Sequence, residues 1–144
     1  MDNAQNEVES TVIRAAGGLI WRDSASGKKL AVIRRTRHGE EWTLPKGKLH
    51  PDEPWSGAAL REVREETGCE VTLSTLVGCN AYVTNGKPKL VIFWNMDLVR
   101  EGQPQDSGEV KELRWLTVSE ALQHLKHPGE KRSCRGFSKS ESET

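Results

Sequence analysis

The sequence predicts a single domain of mixed α and β structure, either an α+β arrangement or an α/β/α sandwich, on three observations. Runs of β-branched and apolar residues recur along the chain, one amphipathic segment from Pro54 to Thr67 is bounded at both ends, and a second short helical segment follows the last strand-like run. Strands and helices of this kind bury their apolar faces only by packing in layers. Periodicity alone does not choose between the two arrangements.

The first strand is expected over Val12 to Trp21, where Gly17-Gly18 marks a bulge or a close backbone approach. Asp23 to Lys28 reads as a turn. Leu30 to Arg35 has the Ala-Val-Ile centre of a buried strand and delivers Arg34, Arg35, Arg37 and His38 into the next loop. Trp42 to Leu49 is a short extended segment and turn. Pro54 suits a first helical turn, where its missing N–H costs nothing, and Gly68 supplies the stop. Two strands, Glu70 to Thr84 and Lys89 to Arg100, are joined by the hairpin signal Asn85-Gly86, with Pro88 at a strand edge. Val110 to Leu116 is a last strand, and Val118 to Leu125 a helix with Ser119 as N-cap. Trp21, Trp42, Trp55, Trp94 and Trp115 are spread through these elements as core residues.

With 144 residues the chain is long enough for one core without disulfides. The expected domain covers residues 11–127, between a polar N-terminus (1–10) and a tail (128–144) too poor in apolar residues to offset the entropy of ordering; both ends are expected to be flexible. Lys plus Arg equals Asp plus Glu at 21 each, which argues against a stable nucleic-acid partner. Cys69, Cys79 and Cys134 are an odd set with no C-x-x-C pair, against a disulfide framework or a zinc site. The acidic start and the lack of a long apolar run speak against a signal peptide or a membrane span, so a cytoplasmic protein is expected.

The chemistry is concentrated in residues 47–69. Glu62, Glu65 and Glu66 stand at i, i+3 and i+4, on one stripe of the helix, while Leu60, Val63 and Thr67 fall on another that can meet a core. Like charges so placed repel, and a bound hard cation is the economical compensation. Gly47, Glu53, Arg61, Glu62, Val63, Glu65, Glu66 and Gly68 match the Nudix box, G-x5-E-x7-R-E-U-x-E-E-x-G-U with U aliphatic. Cys69 departs from the last position and can pack there as a small hydrophobe. The chain thus resembles the Nudix hydrolases.

That resemblance implies the Nudix fold, an α+β domain with a mixed β-sheet sandwiched between helices (α/β/α), and Mg2+ as cofactor with Mn2+ as alternative. It implies metal ligation by Glu62, Glu65, Glu66 and the Gly47 carbonyl, with Glu109 as the carboxylate supplied from outside the box and Glu112 as second choice. Glu62 is the favoured general base, with Glu109 open. Arg61 orients a box glutamate, and Glu53 is structural or a peripheral metal contact. For polyphosphate oxygens the cations Arg34, Arg37, Lys46 and Lys48 flank the box entry. His50, His124 and His127 lack ligand partners at metal spacing and are expected on the surface or in the tail.

Tyr82 and the segment Asn85 to Trp94, which holds Lys87 and Lys89, resemble the dinucleoside polyphosphate hydrolase branch, as does Leu44 to Lys48. Diadenosine polyphosphate therefore leads as substrate, ahead of an oxidised nucleoside triphosphate such as 8-oxo-dGTP. An RNA 5′-pyrophosphate, or nucleotide sensing without cleavage, completes the range. The intact box carboxylates speak against the sensor. A monomer or a homodimer fits the sequence equally.

Overall fold

The computed structural model describes residues 12–36, 39–105 and 109–143, with side chains as far as 136. In chain order the elements are β1 (Ile13–Ser24), β2 (Gly27–Arg35), β3 (Glu41–Thr43), β4 (Lys46–Lys48), α1 (Trp55–Thr67), β5 (Glu70–Thr84), β6 (Lys87–Arg100), β7 (Val110–Leu116), α2 (Val118–His124) and α3 (Pro128–Glu143). The expected N-terminal segment 1–10 lies outside the described residues. Among those described, no helix is long and apolar enough to cross a membrane.

Alternation along β1 and β2 produces the layers. Ala15, Leu19, Trp21, Leu30 and Val32 enter one core with Leu44, Phe93, Ala121, Leu125 and Cys134, whereas Ala16, Ile20 and Ala31 enter a second with Ala58, Ala59, Val63, Cys69 and Met96. Side chains that alternate at period two reach opposite faces. Here both faces are covered: α1 lies on one, α2 and α3 on the other. Fully burying a side chain such as Phe93 or Leu19 contributes roughly 1.5–3 kcal/mol, so these two cores hold the sandwich together.

The sheet is mixed. Its main order is β3-β2-β1-β6-β5, with β4 also on β1 and β7 also on β2. β1 and β6 run parallel, with Ala15 opposite Val91 and Trp21 opposite Asp97, and the remaining pairings are antiparallel. β1 and β2 pair only from Trp21–Leu30 to Ser24–Gly27, then part, and β3 and β4 fill the fork. At the fork Gly18 N–H donates to the Pro45 carbonyl at 3.1 Å, and a Cβ on Gly17 would run into that same carbonyl and Lys46. The Gly17-Gly18 pair is therefore a close-approach device. It seats the strand that carries Gly47 against β1.

The turns obey local chemistry. Asn85 (φ 51°) and Gly86 (φ 76°) both take positive φ between the Thr84–Lys87 pair, as a tight hairpin requires. Gly68 closes α1 at φ 71° with its N–H on the Arg64 carbonyl. The cap of α2 is Thr117, not Ser119: the Thr117 hydroxyl accepts from the Glu120 N–H while the Glu120 carboxylate accepts from the Thr117 N–H. That reciprocal box needs the acid three residues after the cap, a spacing Ser119 does not have.

The C-terminal segment departs most from expectation. Composition predicts a flexible tail from 128, yet α3 starts at Pro128 and buries Glu130 and Cys134 completely or nearly so. Burial raises the Cys134 thiol pKa to about 12, so it is a packing group. A few buried contacts at one end of a polar helix suffice to order it, and average composition does not register them.

Candidate active site

α1 builds the acidic half of the site. Three glutamates in the C-terminal half of a helix oppose the helix dipole as well as one another, so they need cations. Arg61 supplies one. Its guanidinium donates to Glu53 at 2.7 and 2.9 Å, to Glu62 at 2.7 Å and to the Lys48 carbonyl at 3.0 Å, and it reaches Glu65 at 3.3 Å. Glu53 also accepts from the His50 N–H at 2.9 Å, and the Arg61 contact holds its pKa down to about 2. Glu53 thus buttresses Arg61 and the loop before the helix.

Glu62 and Glu66 differ sharply in surroundings. Burial lifts the Glu62 carboxyl above the ordinary carboxylate range even though Arg61 pulls the other way. Such a group is a better proton acceptor than an exposed glutamate. Glu66, also buried, pairs with the Arg35 guanidinium and accepts from the Lys46 N–H at 2.7 Å. Glu65 keeps 43% of its side chain exposed.

Gly47 faces these carboxylates directly. A Cβ there would overlap the Glu62 carboxylate, so only glycine lets the β4 main chain lie against that side chain. The donors gathered here are carboxylates and a main-chain carbonyl, all oxygen, and they fit a hard divalent cation. Among the described residues, however, no three acidic, histidine or cysteine side chains already converge as a cation cage; arginines compensate them instead.

The strand alternation corrects one expectation. Arg34 is bound away from the carboxylates, to Glu40 at 2.7 Å and Glu112 at 3.3 Å, and its neighbour Arg35 meets Glu66 and donates to the Lys46 carbonyl at 2.6 Å. Successive strand residues point to opposite faces, so only one of the two can reach α1. Glu112, second choice for the outer carboxylate, is held by Arg114 and Arg34, and those contacts lower its pKa. Glu109, half-buried, immediately precedes Val110, which is registered opposite Arg35. Arg37 lies outside the described residues.

A cationic cleft adjoins the acidic half. Arg35, Lys48 and Lys89 line a cavity of about 270 Å3 with Lys46, Tyr82, Glu41 and His127. The Lys89 ammonium sits 5.9 Å over the Tyr82 ring centroid, and burial together with Lys46, Lys48 and Arg35 drives its pKa down to about 8. A second cavity of about 200 Å3 opens beside it and shares Lys46, Tyr82 and His127, with Asn80, Phe93 and Arg132 around it. Lys87 is different: it stands exposed at the hairpin turn and lines neither cavity. The Lys46 ammonium is engaged with Glu130 at 2.6 Å.

His127 corrects the tail reading. It stacks on Tyr82 with ring centroids 6.3 Å apart, and its Nε2 lies 2.6 Å from the Glu41 carboxylate. His124 stays peripheral, edge-on to Trp42 at 5.6 Å. Nothing local separates Arg35 from Arg34, because the centre of β2 is buried on both faces and carries no polar alternation. For His127 and Glu130 no local signal exists, because each depends on where α3 docks.

The comparisons agree with this fold. The NUDIX domain family model matches residues 12–136. An 8-oxo-(d)GTP phosphatase of Mycolicibacterium smegmatis is 34% identical over 142 residues, 92% of this chain; the chain spans only 44% of that protein's length. An asymmetrical bis(5′-nucleosyl)-tetraphosphatase of Mus musculus is 34% identical over 122 residues, covering 77% of this chain and 83% of the mouse protein. The crystal structure of a C. elegans Ap4A hydrolase binary complex superposes with a TM-score of 0.81 at 25% identity, over 92% of this chain and 99% of that one. With the box matched at every position but Cys69, Gly47 against Glu62, and the α/β/α sandwich in place, the chain belongs to the Nudix family of phosphoanhydride hydrolases.

Proposed function

We propose that the chain hydrolyses a phosphoanhydride bond within a nucleotide polyphosphate chain, with diadenosine tetraphosphate cut to ATP and AMP as the leading substrate. The observation that carries this reading is the gathering of Arg35, Lys46, Lys48 and Lys89 in one cleft beside Tyr82 and His127, where Glu66 pairs Arg35, Glu130 holds Lys46, and Lys48 and Lys89 face the one remaining lining carboxylate, Glu41. Cations brought this close repel one another until a polyanion joins them. A polyphosphate relieves that repulsion.

Glu62, Glu65, Glu66 and the Gly47 carbonyl are the residues that would hold Mg2+ or Mn2+, with Glu109 as a further ligand. When bound, such an ion neutralises phosphate charge and makes water a better nucleophile at neutral pH. The protein's own groups do the rest. Glu62 takes the proton from the attacking water, its burial favouring that transfer, with Glu109 the alternative base. Arg61 keeps the Glu62 carboxylate in place, and Lys48, Lys89 and Arg35 balance the phosphate oxygens as charge moves to the leaving group. Tyr82 and His127 border a base.

A second reading, hydrolysis of an oxidised nucleoside triphosphate, is favoured by one observation: the mycobacterial 8-oxo-(d)GTP phosphatase aligns with 92% of this chain. One assay separates the two. With magnesium present and products resolved by chromatography, preference in kcat/KM for diadenosine tetraphosphate over 8-oxo-dGTP, with ATP and AMP released, supports the first; the reverse preference moves the chain to the second.

A further inference from the structure

Glu130 has no part in the reaction scheme, yet it is among the most enclosed charges in the molecule. It is 2% exposed and sits in the first turn of α3. Its carboxylate accepts three bonds, all from the β3–β4 connection: from the Thr43 hydroxyl at 2.7 Å, the Leu44 N–H at 3.0 Å and the Lys46 ammonium at 2.6 Å. Two flanking contacts set the start of α3 in register. His127 meets Glu41 of β3, and a side chain on Gly129 would collide with Asn80 of β5.

Lys46 is gripped from the other face as well. Its N–H donates to Glu66 of α1 at 2.7 Å and its carbonyl accepts from Arg35 at 2.6 Å, while the next residue is Gly47, against which the Glu62 carboxylate packs. One residue thus links the C-terminal helix on one side of the sheet to the acidic helix on the other. Stability alone does not account for this arrangement, since a buried ion pair is often no more stable than an apolar pair of the same volume. What three converging donors supply is a fixed position.

We infer that Glu130 is a positioning residue: through Thr43, Leu44 and Lys46 it fixes the connection that presents Gly47 to Glu62 and the Lys46 amide to Glu66. The consequence for activity rests on the hydrolase reading; the clamp itself rests on the hydrogen bonds. It also makes the start of α3 part of the active domain, although it touches neither the acidic stripe nor the phosphate-facing lysines other than Lys46.

The test uses the full chain with Glu130→Gln, which keeps shape and one acceptor but removes the charge, and Thr43→Val, which keeps shape and removes the hydroxyl that bonds Glu130 at 2.7 Å and lies 3.2 Å from the Leu44 carbonyl. Amide hydrogen exchange at Leu44 and Lys46 should accelerate about tenfold or more in Glu130→Gln, with exchange in the paired centres of β1 and β6 unchanged. At a temperature where circular dichroism shows the variant folded, kcat for the preferred nucleotide should fall about tenfold or more with KM changed less than about threefold. Thr43→Val should show the same pattern with smaller amplitude. Should Glu130→Gln fail to fold, Thr43→Val decides: faster exchange confined to Leu44 and Lys46 supports the clamp, and unchanged exchange there overturns it. Wild-type kcat in Glu130→Gln, or exchange accelerated equally in β1 and β6, also overturns it. If the wild-type chain hydrolyses no nucleotide, the hydrolase reading fails, while the exchange result still decides whether Glu130 holds the connection.

Discussion

The acidic and cationic halves of the site meet at Lys46 but are made in different ways. Glu62, Glu65, Glu66 and their organiser Arg61 come from one helix, and Glu53 stands eight residues before Arg61. The cationic half draws Arg35 from β2, Lys46 and Lys48 from β4, Tyr82 from β5, Lys89 from β6 and His127 from the turn before α3. A helix sets relative positions by its own hydrogen bonds, so the stripe of Glu62, Glu65 and Glu66 with Arg61 needs only α1 to be helical. The cationic half exists only when five segments dock. The acidic half is therefore expected to govern the chemical step, and the cationic half affinity and substrate choice.

Glu62→Gln tests that division most severely. It should lower kcat by about a hundredfold, roughly 2.7 kcal/mol, with KM little changed, and excess chelator should abolish turnover of the wild type. Steady-state kinetics settles it. A loss confined to KM would place Glu62 with the binding groups.

Within the acidic stripe, burial separates the two neighbours. Glu66→Gln leaves Arg35 buried beside a neutral amide and should cost about 3–5 kcal/mol of stability in addition to activity, whereas the half-exposed Glu65→Gln should lower kcat about tenfold with the melting temperature nearly unchanged. Thermal unfolding followed by circular dichroism distinguishes them. Equal melting temperatures would show that the Arg35–Glu66 pair carries no structural role.

On the cationic side, Tyr82→Ala and Lys89→Ala should reduce kcat/KM for diadenosine tetraphosphate by about tenfold more than for a simple nucleoside triphosphate, about 1.4 kcal/mol of discrimination. Lys89 also gives the cleft a pH dependence. Its pKa of about 8 means that the ammonium is lost as pH rises through 8, so KM should climb on the alkaline side. Free-protein stability moves oppositely. Because the unfolded chain keeps that proton up to the ordinary lysine value of 10.5, this group makes stability rise, not fall, between about pH 8 and 10.5. Lys89→Arg, which stays charged, should flatten the alkaline rise in KM; an unaltered profile would assign it to another group.

The smallest effect belongs to Arg34→Ala. Its partners Glu40 and Glu112 are partly or well exposed, so stability should change by about 1 kcal/mol or less and kcat/KM by less than about twofold. Arg35→Ala should do far more. Comparable kinetics in the two variants would mean that the facing of β2 does not decide which arginine serves the site.

These contrasts follow what was legible in the sequence. The strand runs, the Asn85-Gly86 hairpin, the Gly68 stop and the Gly17-Gly18 approach were readable because each depends on a few consecutive residues. The cap of α2 was misplaced by two residues, because Thr117 and Ser119 are chemically alike and only the reach to Glu120 separates them. Arg34 was chosen where Arg35 faces the acidic helix, since β2 is buried on both faces and shows no polar alternation to orient it. The tail reading failed at Glu130 and Cys134, two buried residues in a segment whose average composition is that of solvated chain.

The sequence by itself determined the acidic stripe and the elements around it, because turns and helix faces are properties of neighbours along the chain. Tertiary structure decided which arginine meets Glu66, how Tyr82, Lys89 and His127 share one cleft, and that Glu130 reaches Lys46 across 84 positions of sequence. Those contacts join residues with no local relation. They form only where the two cores fix the distance between the sheet and its helices.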